Sequence, residues 1–318
     1  MIETPQTTHE KQAGYYGRPM IKPPEWTDLI PTYFFVGGMA GTSATFAFTE
    51  RLAKNDVLAR TLILGAAAAC AVSGYCLIAD LKRPERFANM LRVFKPTSPM
   101  SMGVYLFSAF GGAVTIAAAS ELTGILRPIG RVFEGLAALL GPAMSVYTAV
   151  LISDTVVPAW HYGRISMPLV FASTSAATAG AFGMLFTPAA FARPARRLAL
   201  IGGLGMPLAL ERLHIELGPR QKEAYEEKEA AFLSKAARLL NIAGLTAAVF
   251  AKDNDAAAKI AGSLLLLSGL AERFGVFRAG CVSAKDPRYT VDAQRDRIGD
   301  RPQPQTPTTI GETAWRKP

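Results

Sequence analysis

Charged residues are scarce in this sequence and unevenly spread. Only 19% of the 318 residues are charged, whereas half are hydrophobic. A soluble domain usually carries about 25% charged residues, so the composition disfavours a soluble protein. Four long runs contain no charge at all: Leu29–Thr49, Thr61–Ala79, Ser98–Ser120 and Ile165–Ala192. Each run can cross about 30 Å of hydrocarbon as a helix, and the sequence therefore predicts a multi-spanning membrane protein.

Cysteine and histidine are also rare, with three residues of each. Cys70 and Cys76 fall in the same apolar run, where one regular helix disfavours a disulfide between them. An iron–sulfur cluster needs about four thiolates at close spacing, and that pattern is absent. No two histidines are placed to face each other across a helix bundle. The sequence therefore predicts no haem, no iron–sulfur cluster and no other metal site in this chain.

The remaining apolar runs are less distinct. Gly135–Ser153 is uncharged but contains Pro142, and three later runs are only twelve or thirteen residues long: Leu198–Leu210, Leu239–Ala251 and Ile260–Ala271. Such runs can still span if flanking Lys and Arg side chains extend to the head groups. Because helices satisfy their own backbone in lipid, we predict an all-α membrane protein with about eight transmembrane helices.

The predicted helices are arranged as two four-helix bundles. We expect a polar N-terminal tail at 1–28, a first bundle at 29–158, a second bundle at 159–276 and a flexible C-terminal tail at 277–318. Gly37 and Gly41 form a GxxxG pair in the first span, and small residues at this spacing let helices approach closely.

Eight spans place both tails and the longer loops on one side of the membrane. This long-loop face comprises the tails and the loops 81–100, 154–165 and 211–235, and the short-loop face lies opposite. We expect a partner subunit to dock on the long-loop face. Trp26 and Trp160 also fall there, where anchoring in the membrane interface would explain them equally well. The orientation stays open, because positive charge is comparably dense in the short loops.

Acidic residues beside apolar runs are the strongest functional signal. A charge at the bilayer centre costs about 2.5 to 3.5 kcal/mol on insertion scales, so such acids usually pair, contact water or take part in function. Asp80 ends the second apolar run, and Asp154 follows the fourth. Both are candidates for proton transfer or ligand binding, although a cap or an ion pair within the loop would also explain Asp80.

Several segments, taken in chain order, resemble the NrfD/polysulfide reductase family of membrane subunits. They are EWTDLIPTYFFVGGMAG, LIADLKRPERF, SPMSMG and VYTAVLISDTVVPAWH. The most specific are the Asp-x-x-Arg-Pro loop at Asp80–Pro84, with Lys82 where the family often has Gly, and the Ser-Pro-Met-Ser start of the third span. ERFGVFRAGCVSAKDPRYTV resembles the ending of actinobacterial members. The resemblance covers roughly residues 24–298.

The resemblance implies a quinone-reactive anchor subunit in the cell membrane, without haem. Such a subunit passes electrons between menaquinone or another quinone and a partner iron–sulfur subunit, usually beside a molybdopterin catalytic subunit. Nucleic acid is not an implied partner. In the family the quinone site lies in the first bundle, at positions that correspond here to Glu25, Trp26, Asp28 and Tyr147. Glu25 and Asp28 stand where relatives carry His or Asn.

Quinol oxidation releases protons, and we expect Asp80 to form part of their route. Arg83 and Arg86 would pair with Asp80 and hold it ionised. A secondary transporter or a proton-conducting protein is the alternative, because membrane acids and proline-broken helices suit it too.

Overall fold

Eight long α-helices fill most of the chain that the structure describes. The structure is a computed structural model, and it describes residues 21–252 and 254–291. The long helices are α1 Leu29–Leu52, α2 Asp56–Ala79, α3 Pro99–Thr123, α4 Arg127–Ser153, α6 Met167–Phe186, α7 Arg193–Glu226, α8 Lys228–Ala251 and α9 Asp255–Lys285. A short helix, α5, spans Pro158–His161, and a 3₁₀ helix, called the loop helix below, spans Pro84–Arg92. The described residues contain no strand, which confirms the all-α prediction.

Seven of these described helices, α2 to α4 and α6 to α9, are long and apolar enough to cross a membrane. They include the three whose uncharged runs were short. The exception is α1, whose Gly, Ser and Thr residues lower its hydropathy. In α1, 13 of 24 residues are buried against protein, compared with 6 of 24 in α8. Because neighbouring helices rather than lipid surround α1, its side chains need less hydrophobicity.

Each long helix packs mainly on others of its own half of the chain. In the first half α1 packs on α2 and α4, and α3 packs on α4; in the second half α6 packs on α7 and α9, and α8 packs on α9. The glycine pair of α1 lies at one such crossing. A Cβ atom on Gly41 would lie 2.5 Å from the carbonyl oxygen of Gly141 in α4. Only glycine permits this approach, as the GxxxG spacing predicts.

Pro142 interrupts the hydrogen bonding of α4, and a neighbouring helix compensates. Proline has no N–H group, so the carbonyl of Ala138, one turn earlier, loses its helical donor. The Thr45 hydroxyl of α1 donates to that carbonyl at 3.0 Å. Since an unsatisfied carbonyl in lipid is costly, Thr45 makes this proline tolerable inside the membrane.

In the second half, a proline in α7 is compensated in the same way by a side chain of a neighbouring helix. Pro207 leaves the carbonyl of Gly203 without its helical donor. The Asn241 side-chain amide of α8 donates to this carbonyl at 2.8 Å. Further along, Gly218 has φ 72° and ψ 176°, and Pro219 follows it. The helix therefore breaks at Gly218, close to its long-loop end.

The last helix is longer than the sequence predicted. α9 continues to Lys285, through residues 277–285 that were assigned to the flexible tail. Its extra turns pack on Trp160, whose indole N–H donates to the Val276 carbonyl at 2.8 Å. A Cβ atom on Gly280 would lie 2.0 Å from the Trp160 ring. Trp160 is fully buried in protein. It therefore does not anchor the chain in the membrane interface, which was one of the two explanations considered for this residue. The tail residues 1–20 and 292–318 lie outside the described residues.

One arginine joins four helices at the short-loop face. Arg51, at the end of α1, pairs with Asp56 of α2 at 2.9 Å and with Glu121 of α3 at 3.0 Å. Its third partner is Glu134 of α4, at 3.3 Å. Glu134 also pairs with Arg131 at 3.2 Å. The Arg51 and Glu134 side chains are only 8% and 4% exposed, so this central pair is largely desolvated, whereas Asp56 and Arg131 lie at its exposed edge.

We expect Arg51→Gln to destabilise the protein strongly. Removing one partner of a buried ion pair typically costs about 3 to 5 kcal/mol, because the remaining charge stays buried. The thermal unfolding midpoint of the detergent-purified chain measures the effect. Arg60→Gln is the matched control, since Arg60 is exposed on α2 and forms no ion pair with the described residues. Equal midpoints for the two variants would contradict the prediction.

Candidate functional site

A cavity of about 270 Å³ lies at the long-loop end of the first four helices. α1 to α4 and the loop helix contribute its walls, which are mostly apolar. The polar groups in the lining are few, and they include Asp80, Tyr33, Tyr147 and Ser108. Apolar walls with a small number of polar groups are typical of sites for small organic ligands.

The cavity exists because α2 and α3 pack loosely on each other. α1 packs tightly on α2, and α3 packs tightly on α4, which leaves a gap between the pairs. Gly74 of α2 and Ser108 of α3 line this gap. Ser108 is exposed on the outer surface of the helices, and Met100 at the start of α3 is 54% exposed. The cavity therefore opens sideways, toward the surrounding lipid.

The loop helix forms the roof of the cavity. Phe87, Met90 and Leu91 point their side chains into the lining, yet no residue of the helix is buried. Just beyond it, Val93 and Phe94 are 64% and 61% exposed. The roof of the isolated chain is thus a thin, amphipathic segment with an uncovered outer surface.

The Ser-Pro-Met-Ser motif fixes the end of this roof. The Ser98 side chain caps α3 by accepting from the Ser101 N–H, and Pro99 occupies the first helical position, where no N–H is needed. The Ser101 hydroxyl donates to the Val93 carbonyl at 2.9 Å, and the Tyr147 hydroxyl donates to the Pro99 carbonyl at 2.9 Å. The motif thereby connects α3, the loop and α4.

Asp80 has its main partner in the segment before α1. Its Oδ1 atom accepts from the backbone N–H of Thr27 at 2.9 Å and from the Thr27 hydroxyl at 2.6 Å. Oδ2 accepts no hydrogen bond from the described residues, and Asp80 lines the cavity. The expected pairing with Arg83 and Arg86 is absent. The apolar side of the loop helix faces the cavity, so both arginines are exposed and Thr27 provides the hydrogen bonds instead.

Two tyrosines line the cavity beneath Asp80. Tyr147 is held by its bond to Pro99, and only glycine fits beside its ring, since a Cβ atom on Gly103 would lie 1.8 Å from the hydroxyl. Tyr33 is 2% exposed, and its hydroxyl makes no hydrogen bond with the described residues. Sequence analysis missed Tyr33, because a tyrosine in an uncharged run has no distinguishing neighbour.

Trp26 connects the cavity to the second half of the protein. Its ring lines the cavity and stacks on Trp160, with the ring centroids 6.0 Å apart and an angle of 19° between the planes. Phe34 makes a second connection, because it lines the cavity and contacts Phe171 of α6. One wall of the cavity therefore rests on α5, α6 and α9.

Glu25 and Asp28 were expected beside Trp26 in the site, but both are engaged elsewhere. Glu25 pairs with Lys22 at 2.7 Å and with Lys82. Hydrogen bonds and charge from Lys22 and Lys82 lower the pKa of Glu25 to about 2, so this carboxylate holds no proton at neutral pH. Asp28 pairs with Arg278 of α9 at 2.8 Å. Neither side chain lines the cavity.

The structure thus brings together only part of the predicted site. The cavity contains three of the candidates: Trp26, Asp80 and Tyr147. Five lie outside it: Glu25, Asp28, Arg83, Arg86 and Asp154. Asp154 is exposed beyond the end of α4, and its carboxylate has no hydrogen bond or ion pair with the described residues.

Within the described residues, no group of three His, Cys, Asp or Glu side chains is placed to hold a metal ion. Cys70, Cys76 and Cys281 are all free thiols. Cys281 lies in α9 rather than in a tail. That this chain carries no haem and no iron–sulfur cluster stays a prediction.

Comparison with known proteins identifies the family. No curated protein matches the chain. The model of the family described as "Polysulphide reductase, NrfD" matches residues 20–215. This match is well over half of the chain and includes every residue that lines the cavity. The chain is therefore a multi-pass integral membrane protein that belongs to the polysulphide reductase NrfD family.

Proposed function

We propose that this chain is the quinone-reactive anchor subunit of an oxidoreductase complex in the cell membrane. NrfD proteins are membrane anchor subunits of reductases, which supports the general role. The observation that carries the proposal is the cavity between α2 and α3, since it combines apolar walls, a few polar groups and an opening toward lipid. A lipid-soluble ligand with a polar head suits all three properties.

A quinone, such as menaquinone, fits this cavity by its chemistry. The flat ring needs apolar walls, and its two oxygens need hydrogen-bonding partners. The free hydroxyl of Tyr33 is available to donate to a quinone carbonyl, and the Tyr147 hydroxyl retains lone pairs that can accept from a quinol. At about 270 Å³ the cavity is slightly below the roughly 300 to 1,000 Å³ of typical ligand pockets. This size suits a head group whose isoprenoid tail leaves through the gap.

The proposed reaction is quinol oxidation or its reverse. Oxidation breaks two O–H bonds and yields one quinone, two protons and two electrons. Asp80 takes up the two protons one after the other through its free Oδ2 atom and passes each to water at the long-loop face, while Thr27 holds Oδ1. The electrons go to an iron–sulfur subunit on the long-loop face, with a molybdopterin catalytic subunit beyond it. The uncovered outer surface of the loop helix, with Val93 and Phe94, supports a partner on this face.

Filling the cavity is expected to abolish quinone binding. Among the described residues, a Cβ atom on Gly74 meets only the Phe107 ring, at 3.7 Å, so the larger side chain of Gly74→Leu fits but occupies ligand space. Quinones quench tryptophan fluorescence, and Trp26 lines the cavity. We expect titration with a short-chain menaquinone analogue to give at least a tenfold weaker Kd for the variant than for wild type.

Gly112→Leu is the matched control for this titration. Gly112 also lies in a membrane helix, but it does not line the cavity, and a Cβ atom there meets no described residue within 4 Å. Its Kd should equal that of wild type. Equal quenching by Gly74→Leu and Gly112→Leu would contradict the proposed site, and no quenching of wild type would contradict the proposed ligand.

Asp80→Asn separates proton transfer from structural support. The amide oxygen still accepts both hydrogen bonds from Thr27, but the side chain is no longer basic. In the intact complex we expect quinol turnover to fall at least tenfold, with quinone binding unchanged within about twofold. Thr27→Val is the reverse control, since it removes the hydroxyl donor and keeps the carboxylate. Full turnover by Asp80→Asn would refute the proton role.

A second candidate function, proton conduction, is favoured by an ion pair in α9. Glu272 and Arg273 have side chains only 2% and 1% exposed, and they pair at 2.8 Å. Arg273 also donates to the Phe171 carbonyl at 2.9 Å and to the Ser175 hydroxyl at 3.2 Å. The Glu272 Oε1 atom accepts no hydrogen bond from the described residues. Ionisable groups inside a membrane are costly, and a function commonly explains them.

If this pair conducts protons, Glu272→Gln removes the group that would carry them. We expect the variant complex, reconstituted in vesicles with an internal pH dye, to lose quinol-driven proton movement while it retains quinone binding. Glu85→Gln, an exposed glutamate in the loop helix without an ion pair to the described residues, is the control. Undiminished proton movement in Glu272→Gln, or none in wild type, would reject this candidate.

A further inference from the structure

A second cavity, of about 480 Å³, lies between α7 and α8 near the break at Gly218. Unlike the first cavity, it is lined mainly by charged and polar residues. Its charged side chains and its histidine are Glu211, His214, Lys222, Glu226, Lys235 and Arg238. We call it the α7/α8 cleft. It shares no lining residue with the cavity of the first bundle, so the proposed quinone chemistry does not explain it.

The α7/α8 cleft lies where two helices leave the hydrocarbon. In α7 the uncharged run Leu198–Leu210 ends at Glu211, and in α8 the uncharged run Leu239–Ala251 begins after Arg238. Each run is about 20 Å long by helical rise and has its other end at the short-loop face. Glu211 and Arg238, which both line the cleft, therefore lie at the ends of these runs, on the head-group side of the bilayer.

An exposed apolar surface, which can contact lipid acyl chains, lies directly below the α7/α8 cleft. Leu208 of α7 is 73% exposed, and Leu239 of α8 is 68% exposed. Ile242, one turn deeper in α8, is 56% exposed. Large apolar side chains at this exposure contact acyl chains in a bilayer. The polar cleft and the apolar surface beneath it are thus continuous, like the two parts of a phospholipid.

The charges of the α7/α8 cleft favour an anion. Three cations and two carboxylates leave a net charge of +1 when His214 is neutral. Lys222 is already paired with Glu226, at 3.4 Å. Lys235 and Arg238 form no ion pair with the described residues, so both are available to a phosphate group. Basic pockets between membrane helices commonly bind anionic lipid head groups.

We propose that the α7/α8 cleft binds the head group of an anionic phospholipid. Lys235 and Arg238 contact the phosphodiester, and the acyl chains lie along Leu208 and Leu239. Glu211, which also lacks an ion pair with the described residues, accepts a hydrogen bond from a hydroxyl of the head group. The chemistry selects a singly charged, hydroxyl-bearing head group such as that of phosphatidylglycerol. The bound lipid fills a space that the two helices leave between them.

The test compares lipid retention by wild type and by Lys235→Gln/Arg238→Gln. The full-length chain is incubated in mild detergent with equal amounts of phosphatidylglycerol and phosphatidylcholine, washed, and analysed by native mass spectrometry. We expect wild type to retain phosphatidylglycerol preferentially. In the double variant the ratio of retained phosphatidylglycerol to phosphatidylcholine should be at least tenfold lower. Arg86→Gln/Lys95→Gln is the matched control, because it removes two exposed cations on the same face that form no ion pair with the described residues.

Further arms identify the source of the phosphate and control for misfolding. Arg238→Lys keeps the charge and is expected to keep most of the preference, even if the double variant does not fold. Inorganic phosphate at millimolar concentration should not displace the lipid. Displacement by phosphate would replace the lipid proposal with a soluble anion site. Equal retention of the two lipids by wild type would overturn the lipid proposal. An equal loss of preference in the double variant and in the matched control would overturn it too.

Discussion

The architecture of the first bundle depends on the ion pairs of Arg51. This residue closes the bundle at the short-loop face by joining α1 to carboxylates of α2, α3 and α4. No equivalent contact joins α2 and α3 at the other end in the described residues. The four helices are therefore held together at the short-loop face, whereas at the opposite face the α1–α2 pair separates from the α3–α4 pair. The cavity is a consequence of this asymmetry, and so is its position close to the face where a partner subunit would dock.

A second constraint, the need to satisfy every backbone group in lipid, explains why polar residues occur within the membrane. Thr45 and Asn241 are polar because each donates a hydrogen bond to a backbone carbonyl in the adjacent helix. A proline in that helix leaves the carbonyl without its helical donor. Among the described long helices, α1 alone lacks a stretch apolar enough to qualify as a membrane span by composition, yet it is the most central in the first bundle. A helix surrounded by protein can carry Tyr33 and a glycine pair, whereas a helix facing lipid needs a continuous apolar surface.

Local sequence features were enough to predict the helices but not the contacts between them. Runs without charge gave eight helices, including the three short ones, because hydrophobic length is a local property. Thr27 lies 53 residues before Asp80, and no pattern at either position signals that they bond. Glu25 and Asp28 matched positions of the family site, but Lys82 and Arg278, distant in sequence, neutralise them. A site formed between helices is visible only when their packing is known.

Because the cavity opens laterally between α2 and α3, its occupancy depends on the concentration of the ligand in the membrane rather than in water. A ligand that enters from the bilayer is supplied by its mole fraction among the lipids, and its aqueous solubility matters only through partitioning. An inhibitor of the same site would lose apparent potency as more membrane is added to the assay, although its affinity for the protein stays the same. For a lipid-soluble quinone, access by lateral diffusion would keep the site in equilibrium with the membrane pool without any passage through water.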